Sequence, residues 1–231
     1  MYSNTSLSGS DALLLLQGLG MTLFIFVVSF TAGSIAGVVL GLVRQARVPV
    51  LSQLALVYVE LFRNSPLLVQ LFLIYFGLPI SFGIRLSPLT AGLLTLMINT
   101  GAFMAVITQA AVDEVPRGQW EASRAYGLGY VKTMRHVILP QAVQTMIPPV
   151  VSLAVSQLQV SSLVSVIGVL ELTRVGSNLN LRTLQPFVVW PIVAAGYFLV
   201  SKPLSVLADR AEARLRGRGR TVRVALAEGP A

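Results

Sequence analysis

Five long stretches without a charged side chain constrain the fold of this 231-residue sequence more than any other feature. They separate these pairs of charged residues: Asp11 and Arg44, Arg63 and Arg85, Arg85 and Asp113, Arg135 and Glu171, and Arg182 and Lys202. A helix that crosses a bilayer needs about 20 mainly apolar residues, and each stretch approaches or exceeds that length. The sequence therefore predicts an all-α, polytopic integral membrane protein. We place its five transmembrane helices at 19–43, 52–79, 88–112, 141–165 and 186–207, in one membrane domain over 19–207.

The basic residues predict how these helices are oriented. Charged residues make up 11% of the chain, yet the formal net charge is +8. The basic residues cluster at 44–47, at 113–136 and in the tail from 208. Because basic loops stay in the cytoplasm, residues 1–18 are predicted to lie outside the cell and the tail, 208–231, inside. Anionic lipid explains an arginine-rich tail beside a membrane, so no nucleic-acid partner is expected.

Two regions are predicted to differ from simple membrane-spanning helices. Residues 10–18 are expected to form a short interfacial turn or helix that leads into the first span. Pro140, Pro148 and Pro149 either bend the fourth span or break it. A break there would indicate a solute path, because freed backbone groups in a membrane must be satisfied by protein or by a cavity.

The first span carries a regular glycine pattern. Gly33, Gly37 and Gly41 form two overlapping G-x-x-x-G steps. Small residues at this spacing let two helix backbones approach closely. The pattern therefore predicts packing against another helix rather than a binding role.

The hydrophilic segment between the third and fourth spans predicts a short capped helix. Asp113 and Glu114 would lie at its start, where carboxylates interact favourably with the helix dipole. Pro116 suits the first turn. Gly127 or Gly129 suits the end, where a left-handed residue is needed. We expect this helix to dock into a groove on a partner protein.

A longer pattern runs through the same segment, residues 113–140. Glu121-Ala122-Ser123 is followed after three residues by Gly127 and, after nine more, by Val137-Ile138-Leu139-Pro140. This spacing resembles the EAA loop of ABC importer permeases, in which EAA, three residues, G, nine residues, I, any residue and LP follow in order. Ser123 replaces the second alanine and Val137 replaces the isoleucine. The alternative interpretation is an ordinary amphipathic cytoplasmic loop.

The resemblance implies a fold and a set of partners. The fold is that of a type I ABC importer permease. Two permease subunits, identical or different, would span the bacterial inner membrane, with two ATPases in the cytoplasm and a solute-binding protein outside. The ATPases would bind ATP and Mg²⁺, so no cofactor is expected in this chain. The residues implied to couple to the ATPase are Glu121, Ala122, Ser123, Arg124 and Gly127.

Three further segments are similar to one group of these permeases. The group carries polar amino acids and includes histidine, glutamine, glutamate, arginine and opine transporters. The similar segments are 60–70 in the second span and 161–169 and 171–174 after the fourth. The resemblance implies an amino-acid substrate. Another small polar solute, an opine or a compatible solute, is the alternative.

The solute path is predicted from uncharged polar residues in the spans. Many relatives carry a glutamate and an arginine late in span three, where this sequence has Val106 and Gln109, and Lys-Asp in span four, where it has Gln159 and Val160. We infer a less charged path and a neutral or acidic substrate, unless the companion subunit carries the charged contacts. The candidate path residues, which alternatively bond between helices, are Asn99, Gln109, Gln157, Gln159, Ser161 and Ser162.

No catalytic or metal-binding constellation is apparent. The chain has no cysteine and a single histidine, His136, which disfavours thiol chemistry and zinc binding. Its carboxylates are scattered, and it has no phosphate-loop motif. A membrane-embedded enzyme is therefore disfavoured, and the energy for transport must come from another subunit. A secondary transporter would need more spans and buried ionisable residues.

Overall fold

The computed structural model describes residues 8–227, and every regular element in that range is helical. The α-helices in chain order are α1 (Gly9–Gln45), α2 (Leu51–Arg63), α3 (Leu67–Phe72), α4 (Leu78–Phe82), α5 (Pro88–Asp113), α6 (Arg117–Ala125), α7 (Tyr130–Thr133), α8 (Leu139–Val160), α9 (Leu172–Thr183) and α10 (Pro186–Ala227). Two π-helical turns, Leu73–Gly77 and Met134–Ile138, and a 3₁₀ helix, Ser161–Ile167, lie between them. The predicted all-α class is confirmed. Residues 1–7 of the predicted outer segment and 228–231 of the predicted tail lie outside the described range.

Five membrane spans are present if one bent pair of helices is counted as a single span. Four helices are long and apolar enough to cross a bilayer: Gly9–Gln45, Pro88–Asp113, Tyr130–Ile167 and Pro186–Arg210. The bent pair is Leu51–Arg63 with Leu67–Phe82. Helix α5 is the most enclosed, since 56% of its most apolar stretch is buried, against 22% for α1. The other helices therefore pack around α5 and keep apolar surface exposed.

The first span is one continuous helix of 37 residues. The expected separate lead-in at 10–18 is wrong, because α1 already begins at Gly9. Asp11 stabilises this start: its carboxylate accepts a hydrogen bond from the Ser8 backbone N–H at 2.9 Å and pairs with Arg182 of α9 at 2.6 Å. No helix-breaking residue follows before Gln45, so the helix continues.

The glycine pattern of α1 packs against α5, as predicted. A Cβ atom built on Gly33, Gly37 or Gly41 would lie 2.6 Å from a backbone oxygen of α5. Those oxygens belong to Met97, Gly101 and Ala105, one helical turn apart. Only residues without a Cβ permit this approach, so the two backbones are in direct contact.

The second span is broken, which corrects the continuous helix predicted at 52–79. Helix α2 ends at Arg63, the chain bends by 105°, and helix begins again at Leu67. Pro66 causes this break, because it has no N–H and restricts the residue before it. The side chain of Gln70 supports the bend, since its Nε2 donates to the Phe62 carbonyl at 2.7 Å and the Ser65 carbonyl at 3.1 Å.

The fourth span is not broken at its prolines, so the solute-path break proposed there is wrong. Helix α8 runs through Pro148 and Pro149 without interruption, and Pro140 lies in its first turn. A proline in the first turn loses no helical hydrogen bond. Within Tyr130–Ile167, the π-helical turn lies between α7 and α8, and the 3₁₀ helix follows α8.

Buried polar contacts join the last helices to α1. Glu171 precedes α9 and is fully buried. Its carboxylate accepts hydrogen bonds from the Arg174 backbone N–H at 2.8 Å, the Tyr197 hydroxyl at 2.7 Å and the Thr22 hydroxyl at 3.2 Å. Because these donors lie on α9, α10 and α1, the carboxylate links three helices. Helix α10 extends beyond the predicted span and through part of the predicted tail.

Candidate coupling helix and solute groove

The short helix predicted in the hydrophilic loop is present as α6, but it begins later than expected. Asp113 is the last residue of α5 and Glu114 follows it, so these carboxylates end the preceding helix rather than starting α6. Helix α6 begins at Arg117, directly after Pro116. The prediction for Asp113 and Glu114 is therefore wrong, because α5 continues past its apolar stretch.

Gly127 ends α6 in the way the sequence predicts. Its φ of +74° lies in the left-handed region, which glycine adopts without steric strain. The Gly127 N–H donates to the Arg124 carbonyl at 2.9 Å, and the Leu128 N–H donates to the Ser123 carbonyl at 3.0 Å. This pair of bonds is a Schellman motif. The turn fixes the direction in which the chain leaves the helix.

One face of α6 is fastened to the membrane domain. Trp120 packs against the cluster of buried side chains that α5 and α8 share, including Val112 and Ile138. It also stacks on Tyr130, with ring centroids 6.2 Å apart, and the Tyr130 hydroxyl donates to Gln45 at the end of α1 at 2.8 Å. A displacement of α6 would therefore be transmitted directly to the ends of α1, α5 and α8 that it contacts.

The predicted coupling residues divide between the two faces of α6. Ser123 is 4% exposed and donates its hydroxyl to the Gln119 carbonyl at 2.7 Å. Glu121, Ala122, Arg124 and Gly127 are exposed. The helix thus presents a charged and small-residue surface away from the membrane domain, while Ser123 belongs to its inner face.

A groove lined by both polar and apolar side chains lies where the bend of the second span meets α5 and α8. It has a volume of about 480 Å³, within the range of small-molecule sites. Two of the predicted path residues, Asn99 and Gln157, line it. Both are buried, and the Gln157 Nε2 donates to the Leu96 carbonyl at 3.1 Å.

The other four candidate path residues do not line this groove. Ser161 is buried and donates to the Leu158 carbonyl at 2.7 Å, and Ser162 donates to the Gln159 carbonyl at 2.8 Å. The Gln159 side chain is exposed and that of Gln109 is half-buried. In this chain Ser161 and Ser162 therefore form bonds within their own helical segment, and the path role of all four stays a prediction.

Four polar groove residues were not predicted from the sequence: Arg63, Ser65, Ser152 and Ser156. Arg63 could have been identified from the sequence, because an ionisable residue inside a predicted span is costly and usually functional. The two serines of α8 could also have been identified, since residues four apart share a helix face. No sequence pattern pointed to Ser65, because its position depends on the bend.

The described part of the chain holds no group of three or more His, Cys, Asp or Glu residues arranged to bind a metal ion. His136 is exposed, and its Nδ1 lies 3.0 Å from the Lys132 carbonyl. The notable chemistry is therefore confined to two places, the surface of α6 and the polar groove.

A bundle of helices long and apolar enough to span a membrane, with a groove between them and a short amphipathic helix at one end, suits a membrane transporter subunit. The sequence matches the family of binding-protein-dependent transport system inner membrane components over residues 29–217. The chain belongs to this family. It is a multi-pass inner-membrane permease subunit of an ABC transporter and not an enzyme, which confirms the resemblance to ABC importer permeases.

Individual relatives support this assignment. The chain is 38% identical to the glutamine transport system permease protein of Escherichia coli (strain K12) over 204 residues, 88% of this chain and 93% of the relative. It is 36% identical to the L-cystine transport system permease protein of Bacillus subtilis (strain 168), covering 86% and 85%. The crystal structure of an amino acid ABC transporter with histidines matches at a TM-score of 0.81 with 36% identity, over 88% of this chain and 94% of that one. The inward-facing methionine ABC transporter MetNI shares the fold, at a TM-score of 0.75 and 21% identity over 90% and 99%.

Proposed function

We propose that this chain is the permease subunit of an importer that moves a polar amino acid into the cell. Support comes from the relatives, which include glutamine and L-cystine permeases. The groove supports the same proposal, since its polar side chains are all uncharged except Arg63. An importer of another small polar solute on the same scaffold is the second candidate, and the groove volume alone does not favour either.

The observation that carries the proposal is the construction of α6. One face is fastened to the spans through Trp120, while the opposite face is exposed and ends in an open glycine turn at Gly127. In the proposed mechanism this outer face docks into a cytoplasmic ATPase, which binds ATP and Mg²⁺. Closure of the ATPase pair displaces α6, and the spans rock between outward-open and inward-open states. In this mechanism the chain provides the moving helices and the solute path, and it binds no cofactor of its own.

The proposed assembly also contains a second permease subunit and a solute-binding protein. Many large apolar side chains remain exposed on the spans, among them Val27, Ile35 and Phe198, which suits contact with lipid and with a second subunit. We place the start of α1 outside the cell and α6 in the cytoplasm. The distribution of basic residues supports this orientation, because Arg44, Arg47 and the α6 segment then lie on one side.

The test is ATP-dependent uptake in proteoliposomes that contain this chain, its ATPase, its companion permease if one exists, and its binding protein. Radiolabelled L-glutamine is the first probe, followed by other amino acids and by glycine betaine. We expect uptake of at least one amino acid. ATP hydrolysis by the complex without uptake of any amino acid would contradict the proposal.

Gly127→Trp tests the coupling role of α6. A Cβ at Gly127 meets nothing within 4 Å in this chain, although the φ of +74° strains any residue other than glycine. The strain is local to the turn, so the bulky side chain should leave the spans folded and obstruct the ATPase. We expect uptake to fall at least about tenfold, the loss of roughly one strong contact, while membrane expression is retained. Gly83→Trp is the matched control, because Gly83 also has a positive φ, +69°, and open space around it. Normal uptake by the Gly127→Trp complex would contradict the assignment.

A further inference from the structure

Arg63 occupies an unusual place for an arginine. Helix α2 begins at Leu51, just after the basic turn at 44–47, and Arg63 is its last residue. At 1.5 Å per residue the helix raises Arg63 by about 18 Å, into the middle of a hydrocarbon layer about 30 Å thick. Asn99, on the same groove, lies near the middle of α5. The groove is therefore at the depth where importers need a solute site.

The Arg63 side chain is exposed, and within residues 8–227 it forms no hydrogen bond and no ion pair. Glu60, one turn earlier, is engaged elsewhere, since its carboxylate accepts from the Asn64 amide at 2.7 Å. The carbonyls freed by the bend do not use Arg63 either, because the Gln70 side chain binds those of Phe62 and Ser65. The guanidinium is thus an unused donor at the edge of the groove.

The rest of the groove complements this cation. No carboxylate lines it. The hydroxyls of Ser152 and Ser156, one turn apart on α8, make no hydrogen bond to any described residue. Asn99 and Gln157 use only their amide NH₂ groups, so their amide oxygens remain available as acceptors. One strong cationic donor therefore faces several neutral donors and acceptors.

We propose that Arg63 binds the carboxylate of the solute in transit, and that the Asn99 and Gln157 amide oxygens with the two serine hydroxyls receive its ammonium group. A guanidinium suits this role because its planar fork binds a carboxylate through two parallel hydrogen bonds. The ligand class is a zwitterion with a free carboxylate, and a cationic side chain on the solute is disfavoured beside Arg63. This inference rests on the proposed import function and deepens it.

The test measures binding to the permease–ATPase complex in nanodiscs without the binding protein, so that only the membrane site contributes. The probes are radiolabelled L-glutamine, or the amino acid that the uptake screen returns, and its α-amide, which lacks the carboxylate. The wild type should prefer the acid over the amide at least about tenfold. Arg63→Gln should weaken binding of the acid about 10- to 100-fold, the usual range for a charge-assisted bond, and should abolish the preference.

Two further variants separate solute binding from a structural role. Arg63 also suits the end of α2, where a cation interacts favourably with the helix dipole. Arg63→Lys keeps that charge but not the fork, so it should retain the preference with weaker binding. Arg85→Gln, an exposed arginine off the groove, should behave as the wild type.

The outcomes that would overturn the inference are distinct. A folded Arg63→Gln complex that still prefers the acid contradicts it, as does a wild-type complex that binds acid and amide equally, and the second result needs no variant to fold. In both cases ATP-driven uptake would still support the importer. Absence of ATP-driven uptake of any solute by the wild type refutes the proposed function and this inference together.

Discussion

Helix α5 is packed in opposite ways on its two sides. Toward α1 the backbones touch, and a methyl group added at Gly37 would lie 2.6 Å from the Gly101 carbonyl oxygen and from the Met104 Cβ. Toward α8 and the bend of the second span, α5 borders the groove, which the buried side chains of Asn99 and Gln157 help to line. One side is in direct backbone contact, and the other borders an open groove that contains polar side chains.

This difference indicates where the subunit can move. Close-packed interfaces do not deform continuously, so α1 and α5 should move together as one body. The groove is not close-packed, so it can change width without breaking direct backbone contacts. We infer that the rearrangement driven through α6 opens and closes the side of α5 that faces α8, and leaves the side that faces α1 unchanged.

Tethering each side of α5 separately should give the largest difference in uptake between two variants. The chain has no cysteine, so Ser65→Cys with Ser156→Cys can be joined across the groove by a bifunctional maleimide. We expect this tether to abolish uptake, because it blocks the path and fixes its width. The same reagent on Leu40→Cys with Met97→Cys, which line an apolar surface groove bordered by α1, α2 and α5, should leave uptake intact. Equal inhibition by both tethers would contradict the division.

Gly37→Leu should have the next largest effect, on stability. The new side chain has no space against Gly101 and Met104, and overpacking of this kind costs about 1–3 kcal/mol or more. We expect a lower melting temperature of the purified protein in detergent. Gly20→Leu is the matched control, because it lies on the same helix and its Cβ would meet nothing within 4 Å. Equal melting temperatures for the two variants would show that α1 and α5 are not in direct contact.

The close packing of α1 was predicted from the sequence, whereas only two of the polar groove residues, Asn99 and Gln157, were predicted. The glycine spacing of α1 and the turn at Gly127 are local signals, because each depends on backbone geometry over a few residues. The groove combines Arg63, Asn99 and Ser156, which come from three separate spans. No local pattern shows that such residues meet.

The prolines show why local signals also mislead. Pro148 and Pro149 suggested a break and yet lie inside continuous helix, whereas the real break is at Pro66. Pro66 differs from the other prolines partly because of a residue further along the chain. The Gln70 side chain donates hydrogen bonds to two carbonyls on the far side of the bend. A proline shows where a helix can bend, and side-chain partners elsewhere decide whether it does.

Tyr58→Phe should have the smallest effect, and it asks whether the first half of the second span belongs to the α1–α5 body. The Tyr58 hydroxyl donates to the Ile98 carbonyl of α5 at 2.6 Å, and losing one such bond costs about 0.5–1.5 kcal/mol. We expect a melting temperature slightly below that of Tyr126→Phe, whose hydroxyl is exposed, with uptake unchanged, because α2 and α5 still move together. Unchanged stability with altered uptake would instead show that α2 and α5 move relative to each other during transport. The groove would then open along the whole second span.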